Sequence, residues 1–320
     1  MRIDANYLAV VFNSTIRMMT PILYVALGSA LCNRVFIFNI GLEGTMLTGA
    51  FSAIVVDNYT SKIPSLAGHV TLRILLSLLT ASLLAGAISW VAGIFMVKFQ
   101  GAMLVVGVSI NTLMSGLTTF LMQFFFGSKG AFTSPDLVGL HKVNVDWLAK
   151  WPILQTMFGS LTYIDLLAFV AAIILNYFLF RTVRGFHMRS VGINKPAAQS
   201  LGIDADRVQI RTVVFSGFLS GIGGALLSMG GVTLYTQNIT AGRGFIAMAA
   251  GTLGGANPLG VVAASAFFGL AQSMAYMLQN SKISPELTMA LPYLATVVAL
   301  AFYNFIIIKH NEALKGKNGA

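Results

Sequence analysis

The 320-residue chain is 56% hydrophobic and only 9% charged. Soluble domains carry about 25% charged residues, so an ordinary soluble enzyme is excluded and an all-α, polytopic transmembrane helix bundle is expected. The net charge of +10 is no nucleic-acid signal, because the basic residues sit mostly at span ends and in loops, where membrane orientation places them.

Apolar runs long enough to cross a bilayer recur along the chain, and about nine membrane segments are predicted. The first runs from Tyr7 to Leu31 and contains Arg17, which must face a protein interior or bend toward an interface. It continues without an Ala-x-Ala-type site, so no cleavable signal is expected. Its end holds Cys32, the chain's single cysteine, which excludes an intrachain disulfide. The second segment is Phe36 to Val56, the third Leu72 to Val97 and the fourth Ala102 to Phe126. The longest loop, Gly127 to Ser160, follows. The fifth segment is Leu161 to Phe180. A basic loop at 181–212 comes next, with Arg181, Arg184, Arg189, Lys195, Arg207 and Arg211. The sixth is Val213 to Leu234. The seventh, Phe245 to Leu253, is too short to span at ~1.5 Å per residue. The eighth is Leu259 to Leu278 and the ninth Leu287 to Ile308. The basic loop and the C-terminal tail (Lys309, Lys315, Lys317) are expected on the cytoplasmic side, and the N-terminus outside.

Two places in the halves look alike. Asn39-Ile40-Gly41-Leu42-Glu43-Gly44 opens the second segment, and Ala241-Gly242-Arg243-Gly244-Phe245-Ile246-Ala247 opens the seventh. Each joins a glycine-rich polar stretch to an apolar helix, and they start from opposite sides. That is the pattern of an inverted repeat whose broken helices meet near the midplane and form the solute site. Two ordinary glycine-rich connections are the alternative.

The acidic residues number ten, and only Glu43 falls in a membrane interior. The histidines (His69, His141, His187, His310) all fall in loops or flanks. Ion coupling, which uses several intramembrane carboxylates or histidines, is therefore not expected. Neither is intramembrane proteolysis: there is no His-Glu-x-x-His, no pair of aspartates at depth and no histidine within the bundle. The chain lacks a phosphate loop. The string Leu219-Ser220-Gly221-Ile222-Gly223 resembles an ATPase signature but lies inside an apolar helix. There Ser216, Gly217, Ser220, Gly221 and Gly224 instead make small-x3-small packing faces. Glu43 either lines the pathway or satisfies helix amides as a first-turn carboxylate. Asn111, mid-span, is interhelical glue or a solute hydrogen-bonder, with glue the better reading. Arg243 is a pathway residue or an interfacial anchor.

These residues together resemble the membrane permease subunits of ATP-binding-cassette importers, in the family serving branched-chain amino acids, ribose-type sugars and nucleosides. The cytoplasmic loop of that family reads glycine, a polar pair, Ala-Ala and then Gly-Ile; here that is Gly192, Asn194, Ala197, Ala198, Gly202 and Ile203, with Arg189 just before. Further matches are the Asn39–Gly44 and Thr240–Ala247 stretches, Asn111, Asn257-Pro258-Leu259-Gly260 and Leu291-Pro292-Tyr293. The pattern is most similar to the shorter permease of nucleoside importers that use a basic-membrane-protein-type binding lipoprotein. Gly254-Gly255-Ala256 departs from it, standing where a bulkier, more basic stretch is expected.

The resemblance implies a single permease domain working by alternating access in a bacterial cytoplasmic membrane. ATP and magnesium would be held by cytoplasmic ATPase partners docked on Arg189, Gly192, Asn194, Ala197, Ala198, Gly202 and Ile203. A second, different permease chain and an extracytoplasmic binding protein or lipoprotein complete the implied assembly. Asn39, Glu43, Asn111, Thr240, Arg243 and Phe245 become candidate pathway residues. A sugar or branched-chain amino acid is the alternative solute, and a passive channel or facilitator the alternative mechanism.

Overall fold

The computed structural model describes residues 5–128, 130–143 and 151–279, with residues 294, 296–298 and 301. The predicted ninth segment, the Leu291-Pro292-Tyr293 motif and the C-terminal lysines lie outside the described residues, apart from those few isolated positions.

The elements in chain order are α1 (Ala5–Arg34), α2 (Leu42–Ser61), α3 (Pro64–Ala67), α4 (Val70–Val97), α5 (Met103–Phe126), β1 (Ala131–Phe132), α6 (Pro152–Phe158), α7 (Tyr163–Arg181), α8 (Val183–Ile193), α9 (Lys195–Ser200), α10 (Ala205–Met229), β2 (Tyr235–Thr236), α11 (Arg243–Leu253) and α12 (Pro258–Gln279). Six of them, α1, α4, α5, α7, α10 and α12, are long and apolar enough to cross a membrane. The protein is a multi-pass helix bundle, as the composition requires.

Helix α10 is the hub, packed on α1, α2 and α4. Its small residues allow this. A Cβ at Gly224 would lie 2.0 Å from the Met46 carbonyl oxygen of α2, and one at Gly221 would lie 2.4 Å from that of Ala81 in α4. Backbones this close gain dispersion and shed lipid without a hydrophobic driving force. The predicted small-x3-small faces are thus the seams of the bundle.

The contacts fix directions. Gly28 of α1 meets Ser216, while Gly223 meets Pro21, so α1 and α10 are antiparallel. Asn39 meets Ser216, Leu42 meets Ser220 and Met46 meets Gly224, so α2 runs parallel to α10. One end of the bundle, here called the lower, holds Arg34, α8 and α9. The upper end holds the 130–143 segment, where β1 pairs antiparallel with β2 and the Leu140 amide donates to the Met229 carbonyl at 2.9 Å. A buried ion pair fastens that segment. Arg73 at the top of α4 contacts Asp57 at the top of α2 at 2.8 Å and donates to the Asp136 carbonyl, while the second Asp57 oxygen accepts from the Val138 amide at 2.7 Å.

Three boundaries differ from expectation. Residues 36–41 are not helical, and α2 starts at Leu42. Helix α10 begins at Ala205, inside the basic loop, because Asp204 caps it by accepting from the Arg207 amide. It ends at Met229, leaving 230–242 as an irregular lead into α11. Gly255 lies in the turn after α11 with φ +64°.

Candidate functional site: an internal elbow, an upper cavity and a lower helix pair

Two helices begin inside the protein. The α2 lead-in, 35–41, rises from the lower end; the α11 lead-in, 230–242, descends from the upper end. Their first turns meet at Glu43 and Gly244, where a Cβ on the glycine would lie 2.6 Å from the Glu43 Cα. From there α2 continues to the Asp57–Arg73 pair above. Helix α11 continues past Ser29 to the turn at Ala256, whose carbonyl accepts from Arg34 Nε at 2.7 Å below. Both N-termini expose amides that have no helix partner, at a depth where water cannot supply one.

Side chains from other elements supply the partners. Glu43 accepts from the Gly242 amide at 2.9 Å and the Gly244 amide at 2.6 Å, and so caps α11. Asn111, mid-way along α5, accepts from the Gly44 amide at 2.7 Å and donates to the Ile40 carbonyl at 2.9 Å, and so caps α2. Asn39 accepts from the Gly41 amide and donates to Ser216. Ser220 donates to the Leu42 carbonyl at 3.0 Å. A carboxylate at a helix start also meets the positive end of the helix dipole. The elbow is therefore a closed polar network at the centre of an apolar bundle.

Of the six pathway candidates, Asn39, Glu43, Thr240 and Arg243 are buried at or above the elbow and Asn111 is half-buried, whereas Phe245 is exposed, 45% of its surface being free. Glu43 and Arg243 face different partners. The Arg243 guanidinium donates to the Ile239 and Thr240 carbonyls and, at 2.7 Å, to the Tyr276 hydroxyl of α12. Its Nε and the Thr240 hydroxyl are buried without a partner among the described residues. Above the elbow Arg243 lines a cavity of about 350 Å³ together with Arg17, Asp165, Asn238 and Tyr276. Both Asp165 oxygens are in use: one accepts from Thr20, the other from the Thr162 amide and hydroxyl in the capping box of α7.

The basic loop is folded rather than open. Thr182 caps α8 and Asn194 caps α9, its side chain accepting from the Ala197 amide. Ala198 is 2% exposed and packs with Val191 and Ala205, and Ile203 packs partly against the same cluster. Gly202 turns the chain at φ +82°, a left-handed position that suits glycine. Gly192 lies where a Cβ would be 2.0 Å from the Arg34 carbonyl oxygen. Arg189 and Arg34 both lie over the Phe180 ring, at 5.3 and 5.5 Å. The motif residues thus build the α8–α9 pair; Asn194, Ala197 and Gly202 stay exposed, and the large aliphatics left outward beside them are Ile193, 87% exposed, and Leu201, 80% exposed. The sequence reading missed these two. Their signal was a large aliphatic residue on a polar loop, directly after Gly192 and directly before Gly202.

The pair is tied to both half-helices. Lys195 donates to Gln209 and contacts Asp206 at 2.7 Å, and Gln209 donates to the Val35 carbonyl in the α2 lead-in. Arg34, against Gly192, holds the Gly255 and Ala256 carbonyls after α11.

The comparisons with known proteins agree with this layout. A family model described as a branched-chain amino acid transport system / permease component matches residues 11–300. A nucleoside ABC transporter permease of Lactococcus lactis, NupC, is 32% identical over 93% of this chain and 93% of its own length. A guanosine ABC transporter permease of Bacillus subtilis, NupQ, is 30% identical over 92% of this chain and 91% of its own. A putative glucose ABC transporter permease of Haloferax volcanii is 25% identical over 93% and 92%. The chain therefore belongs to the permease-component family of branched-chain amino acid transport systems, whose members are membrane subunits of ABC transporters and not enzymes.

Proposed function

We propose that this chain is the permease subunit of an ATP-driven nucleoside importer in a bacterial cytoplasmic membrane. The observation that carries the reading is end-to-end similarity, at 30% identity or more, to permeases named for guanosine and for nucleosides. The lower end is then cytoplasmic, by the basic residues of 181–212, and the upper cavity faces the binding protein.

Alternating access follows from the wiring. ATPase subunits gripping Ile193 and Leu201 move α8–α9, and the movement reaches the α2 lead-in through Gln209 and the turn after α11 through Arg34. Glu43 and Asn111 hold the two half-helices as one hinge, so both rock together. Arg243 contacts solute in the upper cavity, and Thr240, buried beside it, supports that wall; Asn39, Glu43 and Asn111 keep the hinge intact beside its path. Phe245, exposed beside Gly244, faces the path or the second permease.

Purification of the tagged chain from its native membrane in mild detergent tests the assembly. The expected companions are a soluble ATPase and a second, similar permease. The chain alone, under conditions that preserve a known complex, contradicts the reading and favours a facilitator.

A further inference from the structure

Arg17 is unaccounted for by the hinge and the docking pair. It sits in the upper half of α1, half-buried at the cavity wall, with Nη2 placed 2.9 Å from where a Cβ on Gly231 would be. Among the described residues no hydrogen bond or ion pair engages its guanidinium. The one carboxylate lining the cavity, Asp165, already has both oxygens occupied. An arginine held unpaired within a membrane-spanning helix is costly, and it marks a ligand path by default.

The cavity's chemistry narrows the ligand. Its volume of about 350 Å³ falls in the range of about 300–1,000 Å³ that small-molecule sites occupy. Its cations are Arg17 and Arg243, and it presents Tyr276 and Asn238 as neutral polar partners. An amino-acid zwitterion would need an accessible carboxylate for its ammonium group, and Asp165 is 4% exposed and turned to Thr20 and Thr162. A guanidinium fork matches two acceptors side by side, and the O6/N7 edge of a 6-oxopurine presents that pair; the N3/O2 edge of cytosine is a similar pair, and removing N7 alone tells the two apart. Adenine replaces one acceptor with a donor, which a fork of donors repels.

We propose that Arg17 reads the O6/N7 edge of a 6-oxopurine nucleoside as it enters the upper cavity. The inference rests on the nucleoside reading above. Arg17 acts as a specificity-determining contact, while Arg243, fixed in the same wall by three hydrogen bonds, gives a contact that does not depend on the base.

The test uses the whole importer in proteoliposomes and two solutes, guanosine and 7-deazaguanosine, which has carbon at the N7 position. Wild type should favour guanosine by roughly 10-fold in kcat/KM, within the span of a good bidentate contact. Arg17→Met removes every donor and keeps an unbranched side chain, and should bring the two solutes to parity; Arg17→Leu serves if the methionine variant does not assemble. A purely structural arginine would lower both solutes together and leave the ratio unchanged. Parity in wild type overturns the proposal, as does an unchanged preference in the variants, which would place the discrimination in the binding protein. If wild type transports no nucleoside, the proposed function itself fails.

Discussion

Glu43 is where the hinge is most exposed to a single substitution. Its carboxylate accepts two backbone amides of α11, at 2.9 and 2.6 Å, from a side chain in a residue only 8% exposed. Glu43→Ala leaves both donors unpartnered. Each buried orphan costs about 1–3 kcal/mol, so about 2–6 kcal/mol of stability is lost, the lower figure applying if water fills the space. Glu43→Gln keeps one acceptor oxygen and turns an NH2 group toward the other amide, so its loss falls between. Thermal denaturation of the detergent-purified chain, followed by the fraction remaining monodisperse, should rank wild type above Gln above Ala. ATP-driven uptake should fall in the same order. A Glu43→Ala protein that melts like wild type while losing uptake would refute the bracing argument and make Glu43 a solute contact alone.

Asn111→Leu should lower the melting temperature in the same assay, because the Gly44 amide loses its acceptor, at about 1–3 kcal/mol. Ile193→Asp and Leu201→Asp together should abolish co-purification of the ATPase and leave melting unchanged; retained ATPase would show that docking lies elsewhere on the loop. Asp57→Ala should cost about 3–5 kcal/mol by leaving Arg73 buried and unpaired. It should also speed proteolytic cutting within 130–143, since that segment loses the acceptor for Val138; unchanged cutting would refute the staple.

Much of this was legible in the sequence because membrane helices are written in composition. The broken helices were found from glycine-rich polar strings that interrupt apolar runs at matching places in the two halves. What Glu43 and Asn111 do there was not legible. A carboxylate in the first turn of α2 reads as a cap for its own helix, yet it caps α11, about two hundred positions later. That choice follows from α2 and α11 meeting at their starts, which is a tertiary fact. The coupling motif shows the converse. Of its small residues, Ala197 and Gly202 stay exposed, whereas Ala198 is small because Val191 and Ala205 press on it, and Gly192 because Arg34 does. Small residues mark where a chain packs on itself, and here Ile193 and Leu201 are the large aliphatics left outward beside them. Arg17 was recognised as out of place in a span, but the cavity that explains it needs α1, α10, α11 and α12 together.

The most direct test of the central claim is accumulation of labelled guanosine by the purified complex in proteoliposomes, with the binding protein on the upper side and ATP on the lower. The account predicts solute concentrated above the external level, stopping when ATP is withheld. Entry that merely equilibrates, at the same rate with or without ATP, would contradict it.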